Sequence, residues 1–248
     1  MTTIVGGGPH RVLALHGWFG SAQGWGWLPG LIDPERFTYA FLDYRGYGER
    51  RDVAGEFSIA EISRDALALA DELGWDRFSV VGHSMGASAA QRVLADAPGR
   101  VRRLAGISPV PAGGVPFDEQ GWALFSGAAE DSGNRRAIID LTTGNRLSGH
   151  WLDTMVDASL AQSTVEAFGA YLPAWAQTDI TAEIQGNPVP ALAVVGAHDP
   201  ALGEAAMKQT WLAHYPNARL EVLPDAGHYA MYETPVRLAT VLEEFLDG

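Results

Sequence analysis

The sequence predicts an α/β protein with a mostly parallel central sheet, helices on both faces and an inserted helical cap. Three observations predict it. Short apolar, β-branched runs alternate with helical periodicities up to Ile107 and again from Ala191 onward, the rhythm of parallel strands joined by crossover helices. Between these two blocks, from Phe117 to about Ile184, only helical patterns occur, introduced by Pro109-Val110-Pro111-Ala112-Gly113-Gly114-Val115-Pro116, a linker by composition. Finally, the apolar run Ser79-Val80-Val81 passes through Gly82-His83-Ser84-Met85-Gly86 directly into a helical pattern, a G-x-S-x-G turn between strand and helix. The expected organisation is a core of residues 1–110 and 186–248, interrupted by a helical cap over 111–185.

Taken in order, Thr2 to Val5 reads as a short first strand, and Gly6-Gly7-Gly8-Pro9 turns the chain into the buried strand Arg11 to His16. Phe37 to Asp43 is the next strand. Helical periodicity runs from Ser58 to Leu73, with Ser58 as N-cap and Glu61 as its capping-box partner. The strand ending at the G-x-S-x-G turn follows, then a helix of small and apolar residues from Met85 to Ala97, closed by Pro98-Gly99, and the strand Val101 to Ile107. After the cap come the strand Ala191 to Val195, a helix from about Gly203 to His214, the strand Ala218 to Leu223 and a last helix from Pro235 to Leu246.

Composition narrows the function. At 248 residues the chain suits one large domain with an insertion. Its 47% hydrophobic and 19% charged content is that of a globular protein. A formal charge of -13 opposes nucleic-acid and anionic-membrane binding. No apolar run approaches membrane-spanning length, and the amino-terminal segment reaches a glycine turn too soon for a signal peptide, so a cytoplasmic location is expected. The absence of cysteine removes disulfides, thiolate metal sites and a cysteine nucleophile. His10, His150 and His214 lack ligand spacing, and Gly6-Gly7-Gly8-Pro9 lacks the lysine and the helix of a phosphate loop. No metal or cofactor is implied; the expected partner is a small-molecule substrate.

Ser84 is the candidate nucleophile. A serine hydroxyl needs a base, and the base needs an acid that fixes its tautomer and stabilises the imidazolium. His228, in Pro224-Asp225-Ala226-Gly227-His228-Tyr229 just after the last strand, is the best-placed histidine. Asp199 ends another strand at the same sheet edge, in Gly196-Ala197-His198-Asp199-Pro200. Asp225 is its rival, but three residues before the base it is poorly placed to meet the far ring nitrogen. Acyl transfer also needs donors for a developing oxyanion. The backbone N–H of Trp18, in His16-Gly17-Trp18 after a buried strand, and that of Met85 at the start of the elbow helix are the candidates. His16 is read as ordering its loop, and Arg45 as anchoring its own turn.

Five ordered pieces, His16-Gly17-Trp18, Asp43-Tyr44-Arg45-Gly46-Tyr47-Gly48, Gly82-His83-Ser84-Met85-Gly86, Gly196-Ala197-His198-Asp199 and Gly227-His228, span nearly the whole chain. Together they resemble the α/β-hydrolase fold family, in its serine branch with a helical cap. The resemblance implies Ser84 as nucleophile, Asp199 as acid, His228 as base, and Trp18 with Met85 as oxyanion-hole donors. Relatives commonly carry serine after the second glycine of the second piece, where this chain has Glu49-Arg50-Arg51. The short amino terminus implies that one or two of the usual eight strands are missing or abbreviated.

Within that family, dehalogenases and epoxide hydrolases place aspartate where Ser84 stands, which argues against both. Carbon-carbon bond hydrolases of ring-cleavage products often carry asparagine at the position of His83. The Gly-His-Ser-Met-Gly form is more similar to esterases, lactonases and cofactor-free perhydrolases. The expectation is therefore a serine esterase or lactonase acting on a small, largely apolar substrate through an acyl-enzyme. The alternatives are a carbon-carbon bond hydrolase or a cap-switched small-ligand receptor on the same fold. Trp18, Phe19 and Met85 are the expected substrate contacts. The cap aromatics Trp122, Trp151, Trp175, Phe117, Phe125, Phe168 and Tyr171 suggest, as a group, an apolar pocket.

Overall fold

The structure, a computed structural model, describes residues 2–248. Seven strands, β1 (Thr2–Gly6), β2 (His10–Leu15), β3 (Phe37–Leu42), β4 (Phe78–His83), β5 (Val101–Ile107), β6 (Ala191–Gly196) and β7 (Ala218–Leu223), form one sheet in the order β1-β3-β2-β4-β5-β6-β7. Only β1 runs antiparallel, against β3. Every residue of β3, β4 and β6 is buried, which is why these strands read as continuous apolar runs instead of alternating ones.

Strand order reverses between β2 and β4, which pair with Leu15 opposite Gly82. At such a switch point the loops leaving the two strands diverge and open a crevice beyond their carboxyl ends. The loops that leave here are His16-Gly17-Trp18 and the turn at Ser84.

The core helices are α1 (Ile59–Glu72) and α2 (Met85–Asp96). Between β5 and β6 the chain builds α3 (Glu119–Gly127), α4 (Ser132–Thr142), α5 (Gly149–Gln162), α6 (Val165–Ala176) and α7 (Thr181–Ile184). After β6 come α8 (Glu204–Gln209) and α9 (Trp211–His214), and after β7 come α10 (Ala230–Glu233) and α11 (Pro235–Asp247). The starts of α3, α4, α5 and α6 are fixed by Asp118, Asp131, Ser148 and Thr164, each accepting a backbone N–H from the first turn.

Two local expectations are corrected. Ser58 does cap α1 by accepting the Glu61 N–H at 3.1 Å. The Glu61 carboxylate, however, reaches past Ser58 to the N–H groups of Phe57 and Glu56, at 3.1 and 3.0 Å. Phe57, with φ of 51°, turns its amide toward that carboxylate, so the reciprocal half of the box is displaced by one and two residues. The single helix expected over 203–214 breaks at Thr210, with φ -122° and ψ -85°. Its hydroxyl bonds back to the Ala206 carbonyl at 2.8 Å, and the fully buried Trp211 then packs against Gly106, where a Cβ would lie 2.8 Å from its ring.

Several hydrogen bonds tie the helices between β5 and β6 to the core loops. The indole Nε1 of Trp18 donates to the Phe168 carbonyl at 2.8 Å, the Thr164 N–H to Gly46 at 3.0 Å, and the His228 N–H to Thr142 at 3.1 Å. Among the described residues no helix is long and apolar enough to cross a membrane.

Candidate functional site

The turn at Ser84 is strained in the way a presented side chain requires. Ser84 has φ of 53° and ψ of -119°, a conformation L-residues rarely adopt. It is held there by its own N–H donating to Ile107 at 2.9 Å and its carbonyl accepting from Ala87 and Val110. A Cβ at Gly86 would run into the Leu15 and His16 carbonyls, and one at Gly82 into the Gly86 carbonyl and Ala87 backbone. Glycine is therefore demanded at both positions by close approach of three chain segments.

His228 follows β7 on a loop whose backbone is held on four sides. Its N–H donates to Thr142, its carbonyl lies 3.0 Å from the Nε2 of His83, and the N–H groups of Gly227 and Tyr229 donate to the two carboxylate oxygens of Glu233 at 2.9 and 3.1 Å. Glu233 is also ion-paired with Arg146. Glycine is needed at 227 because a Cβ would lie 2.7 Å from the Thr143 Cα.

The ring of His228 is oriented by Asp199, whose Oδ2 accepts from its Nδ1 at 2.7 Å. The other carboxylate oxygen accepts the N–H groups of Ala201 and Leu202, each at 3.0 Å. Burial by itself raises the pKa of Asp199; attraction to His228, their hydrogen bond and the two amides outweigh it and hold the carboxyl below its ordinary range. With a carboxylate at Nδ1, that nitrogen carries the proton and Nε2 presents its lone pair. Asp225, the sequence rival, is exposed and only its carbonyl is engaged, by Arg146 at 3.4 Å.

Ser84 and His228 line one cavity of about 60 Å³. Its other walls are almost wholly apolar: Trp18, Phe19, Phe117, Phe125 and Trp175 together with Val110, Val115, Ile138 and Leu202. Of the expected substrate contacts, Trp18 and Phe19 are walls. Met85 is not: its side chain is fully buried at the start of α2 and absent from the cavity lining, because the first residue of the elbow helix packs into the sheet-helix interface. Among the described residues, the backbone N–H groups of Trp18 and Met85 meet no protein acceptor.

The aromatics expected to form the cap divide. Phe117, Phe125 and Trp175 line the cavity. Phe168 instead stacks between the Trp18 ring, 4.0 Å away, and the guanidinium of buried Arg135, 3.6 Å away. Tyr171 packs on Tyr44, Tyr47 and Phe57, and Trp151 on Tyr229 and Tyr232. Trp122 packs on Phe117. Wall residues that sequence reasoning missed include Thr142, Ala201 and Tyr229; the last two lie within two residues of Asp199 and His228 in sequence, the signal that could have found them.

Two further histidines stand beside the site, both neutral. His16 is pushed down to about 4 by burial, against the hydrogen bond its Nδ1–H gives the Gly17 carbonyl at 2.8 Å. His83 is pushed down to about 3 by burial and by the neighbouring His228. Because a carbonyl only accepts, the Nε2 of His83 carries the proton and donates to His228. The Trp18 loop is braced by the hydroxyls of Tyr44, which donates to His16, and Tyr47, which donates to Trp18. Arg45 pairs with both oxygens of Asp65 at 3.0 Å and anchors its own turn. Among the described residues, no group of three or more His, Asp or Glu side chains is arranged to hold a metal ion.

Residues 10–235 match the α/β hydrolase fold family, and the chain belongs to it. A dihydrolipoyllysine-residue acetyltransferase component of an acetoin cleaving system from Cupriavidus necator is 26% identical over 251 residues, which covers 98% of this chain and 65% of that protein. The chain thus spans just under two thirds of that relative's length. A 2-hydroxymuconate semialdehyde hydrolase from Pseudomonas putida is 29% identical over 217 residues, covering 81% of this chain and 73% of the relative. Among solved structures, an esterase from Exiguobacterium antarcticum superposes with a TM-score of 0.89 at 17% identity, covering 100% of this chain and 95% of the other.

Proposed function

We propose that the chain is a serine hydrolase that cleaves a carboxylic ester or lactone with a small, largely apolar acyl part, through an acyl-enzyme on Ser84. The observation that carries this reading is that Ser84 and His228 face one apolar cavity while His228 is bonded to the buried Asp199. We further propose that residues 111–185, with α3 to α7, serve as the cap that closes this cavity.

In this reading the Ser84 Oγ attacks the carbonyl carbon and its proton passes to the Nε2 of His228. Asp199 stabilises the imidazolium and keeps its ring oriented. The unpaired N–H groups of Trp18 and Met85 receive the oxyanion; the strained elbow presents both Ser84 and the Met85 amide. His228 then returns the proton to the leaving oxygen as the carbon-oxygen bond breaks. A water activated by His228 hydrolyses the acyl-enzyme, releasing the acid and restoring Ser84.

Carbon-carbon hydrolysis of a ring-cleavage product is the second reading, favoured by the Pseudomonas putida relative. Such a substrate carries a carboxylate, and no lysine or arginine is among the walls of the cavity, so the ester reading fits better. The test is steady-state hydrolysis of short p-nitrophenyl esters and of lactones by the native chain and by Ser84→Ala, with fluorophosphonate labelling of Ser84. Turnover that survives Ser84→Ala, or failure of Ser84 to be labelled, refutes the acyl-enzyme.

A further inference from the structure

Beside the apolar cavity lies a second, larger opening of about 230 Å³, between the loop Gly20 to Gly24 and α5. It shares two walls with the first, Phe19 and Tyr229, and a third wall is His83, the residue immediately before Ser84. The two openings thus adjoin across Phe19 and Tyr229, and His83, the residue before Ser84, borders the second.

Their chemistry differs. The first has Ser84, His228, Thr142 and the shared Tyr229 as its polar walls, and the Thr142 hydroxyl already donates to Ile138 at 2.9 Å. The second is walled by two nearly buried residues that each carry a polar atom making no hydrogen bond within the protein. The Nδ1 of His83 is one: its Nε2–H is committed to the His228 carbonyl, so Nδ1 holds a lone pair and accepts. The Tyr229 hydroxyl is the other; burial keeps it protonated, so it donates. The side-chain amides of Gln23 and half-buried Gln162 add one donor and one acceptor function each, and neither is bonded within the protein. No Asp, Glu, Lys or Arg is among the walls. Met155, Ala158 and Phe19 supply an apolar floor.

An ester has two halves, and acylation requires both to be seated when the Ser84 Oγ attacks. We infer that the cleft walled by His83, Tyr229 and Gln162 is the subsite for the leaving-group half, and that it takes an uncharged alcohol bearing further hydroxyl groups, such as a polyol monoester. The inference rests on the serine-hydrolase reading above and adds the substrate class to it. Polar wall groups that make no hydrogen bond within the protein favour an alcohol that can hydrogen-bond to them over an apolar one. A charged leaving group is not matched by any wall. In the reaction the bond from carbonyl carbon to alcohol oxygen breaks, the proton from His228 goes to that oxygen, and the free polyol departs through the cleft while the acyl group stays on Ser84.

Esters of one acid form the same acyl-enzyme whatever their alcohol, so the ratio of their kcat/KM values isolates the leaving-group contacts. The experiment compares glyceryl monobutyrate with n-propyl butyrate in the native chain and in Gln162→Leu and Tyr229→Phe, with Ser84 labelling by a fluorophosphonate as a separate readout. The native chain is expected to favour the glyceryl ester by about tenfold or more, and each variant to bring that ratio several-fold closer to one. A native ratio near one, a ratio unchanged in both variants, or labelling of Ser84 without turnover of either ester overturns the assignment. Absence of labelling overturns instead the serine-hydrolase reading beneath it.

Discussion

The Nε2 of His83 lies 3.0 Å from the carbonyl oxygen of His228, so the residue before the elbow serine holds the loop that carries the histidine. The two rings are 5.0 Å apart, and burial together with the neighbouring ring keeps His83 neutral. The serine turn and the histidine loop lie 145 residues apart in the chain, and this hydrogen bond fixes their separation directly. His83→Leu is expected to lower kcat by about 10- to 100-fold with a smaller change in KM, because a misplaced base costs the chemical step more than binding. An equal effect on both parameters would mark His83 as a substrate contact only.

Asp199→Asn keeps the shape of the carboxyl and its bonds to Ala201 and Leu202, while allowing the amide to oppose the Nδ1–H of His228. The wrong tautomer is then favoured. A loss of roughly 10⁴-fold in kcat is expected, with the fold retained. Asp225→Asn, at an exposed side chain, is expected to change kcat less than about twofold; a large loss there would reverse the choice of acid.

The cavity around Ser84 is narrow, with Phe125 and Phe117 on α3 and the linker before it forming one wall. Activity is expected to peak at short acyl chains and to fall as they lengthen. Phe125→Ala removes a ring from the wall and should move the optimum by several carbons, measured as kcat/KM across a p-nitrophenyl acyl series. An unmoved optimum would place the acyl group elsewhere.

Acid should destabilise the fold through the two buried histidines. His16 and His83 titrate at about 4 and about 3 in the folded chain and near the ordinary value of 6.5 when unfolded. Below 6.5 the unfolded chain binds protons the folded chain does not, so stability is present in full above that pH and is lost as pH falls toward 4 and then 3. Each group contributes a slope of about 1.4 kcal/mol per pH unit in this window. Asp199, held below its ordinary range, adds to the loss at lower pH. Denaturant midpoints between pH 7 and 4.5 measure this; His16→Gln should remove about one proton from the slope.

Glu233 collects the N–H groups on both sides of His228 and pairs with Arg146. Glu233→Ala leaves two buried amides without an acceptor, and a loss of about 1–3 kcal/mol is expected, read from chemical denaturation. Glu233→Gln retains one acceptor and should lose less.

The sequence by itself determined the strand-helix alternation and the glycine-flanked turn, and it named Ser84, His228 and Asp199, the last two of which the structure joins by a hydrogen bond. These are local properties: continuous apolar runs mark strands buried on both faces, glycine marks positions where chain segments nearly touch, and Gly86 is pressed against Leu15 and His16 as that reading requires. What it could not reach depends on contacts between distant segments. Glu61 bypasses its expected partner because Phe57 turns, the helix before His214 breaks at Thr210 so that Trp211 can bury, and Met85 packs inward despite adjoining Ser84. The aromatics between β5 and β6 had equal claims to the pocket in sequence, yet Phe125 and Trp175 line it while Phe168 is spent between Trp18 and Arg135. Which face of a helix meets the sheet edge is set by packing across the whole molecule, so only the tertiary structure decided the shape of the cavity and joined His83 to His228.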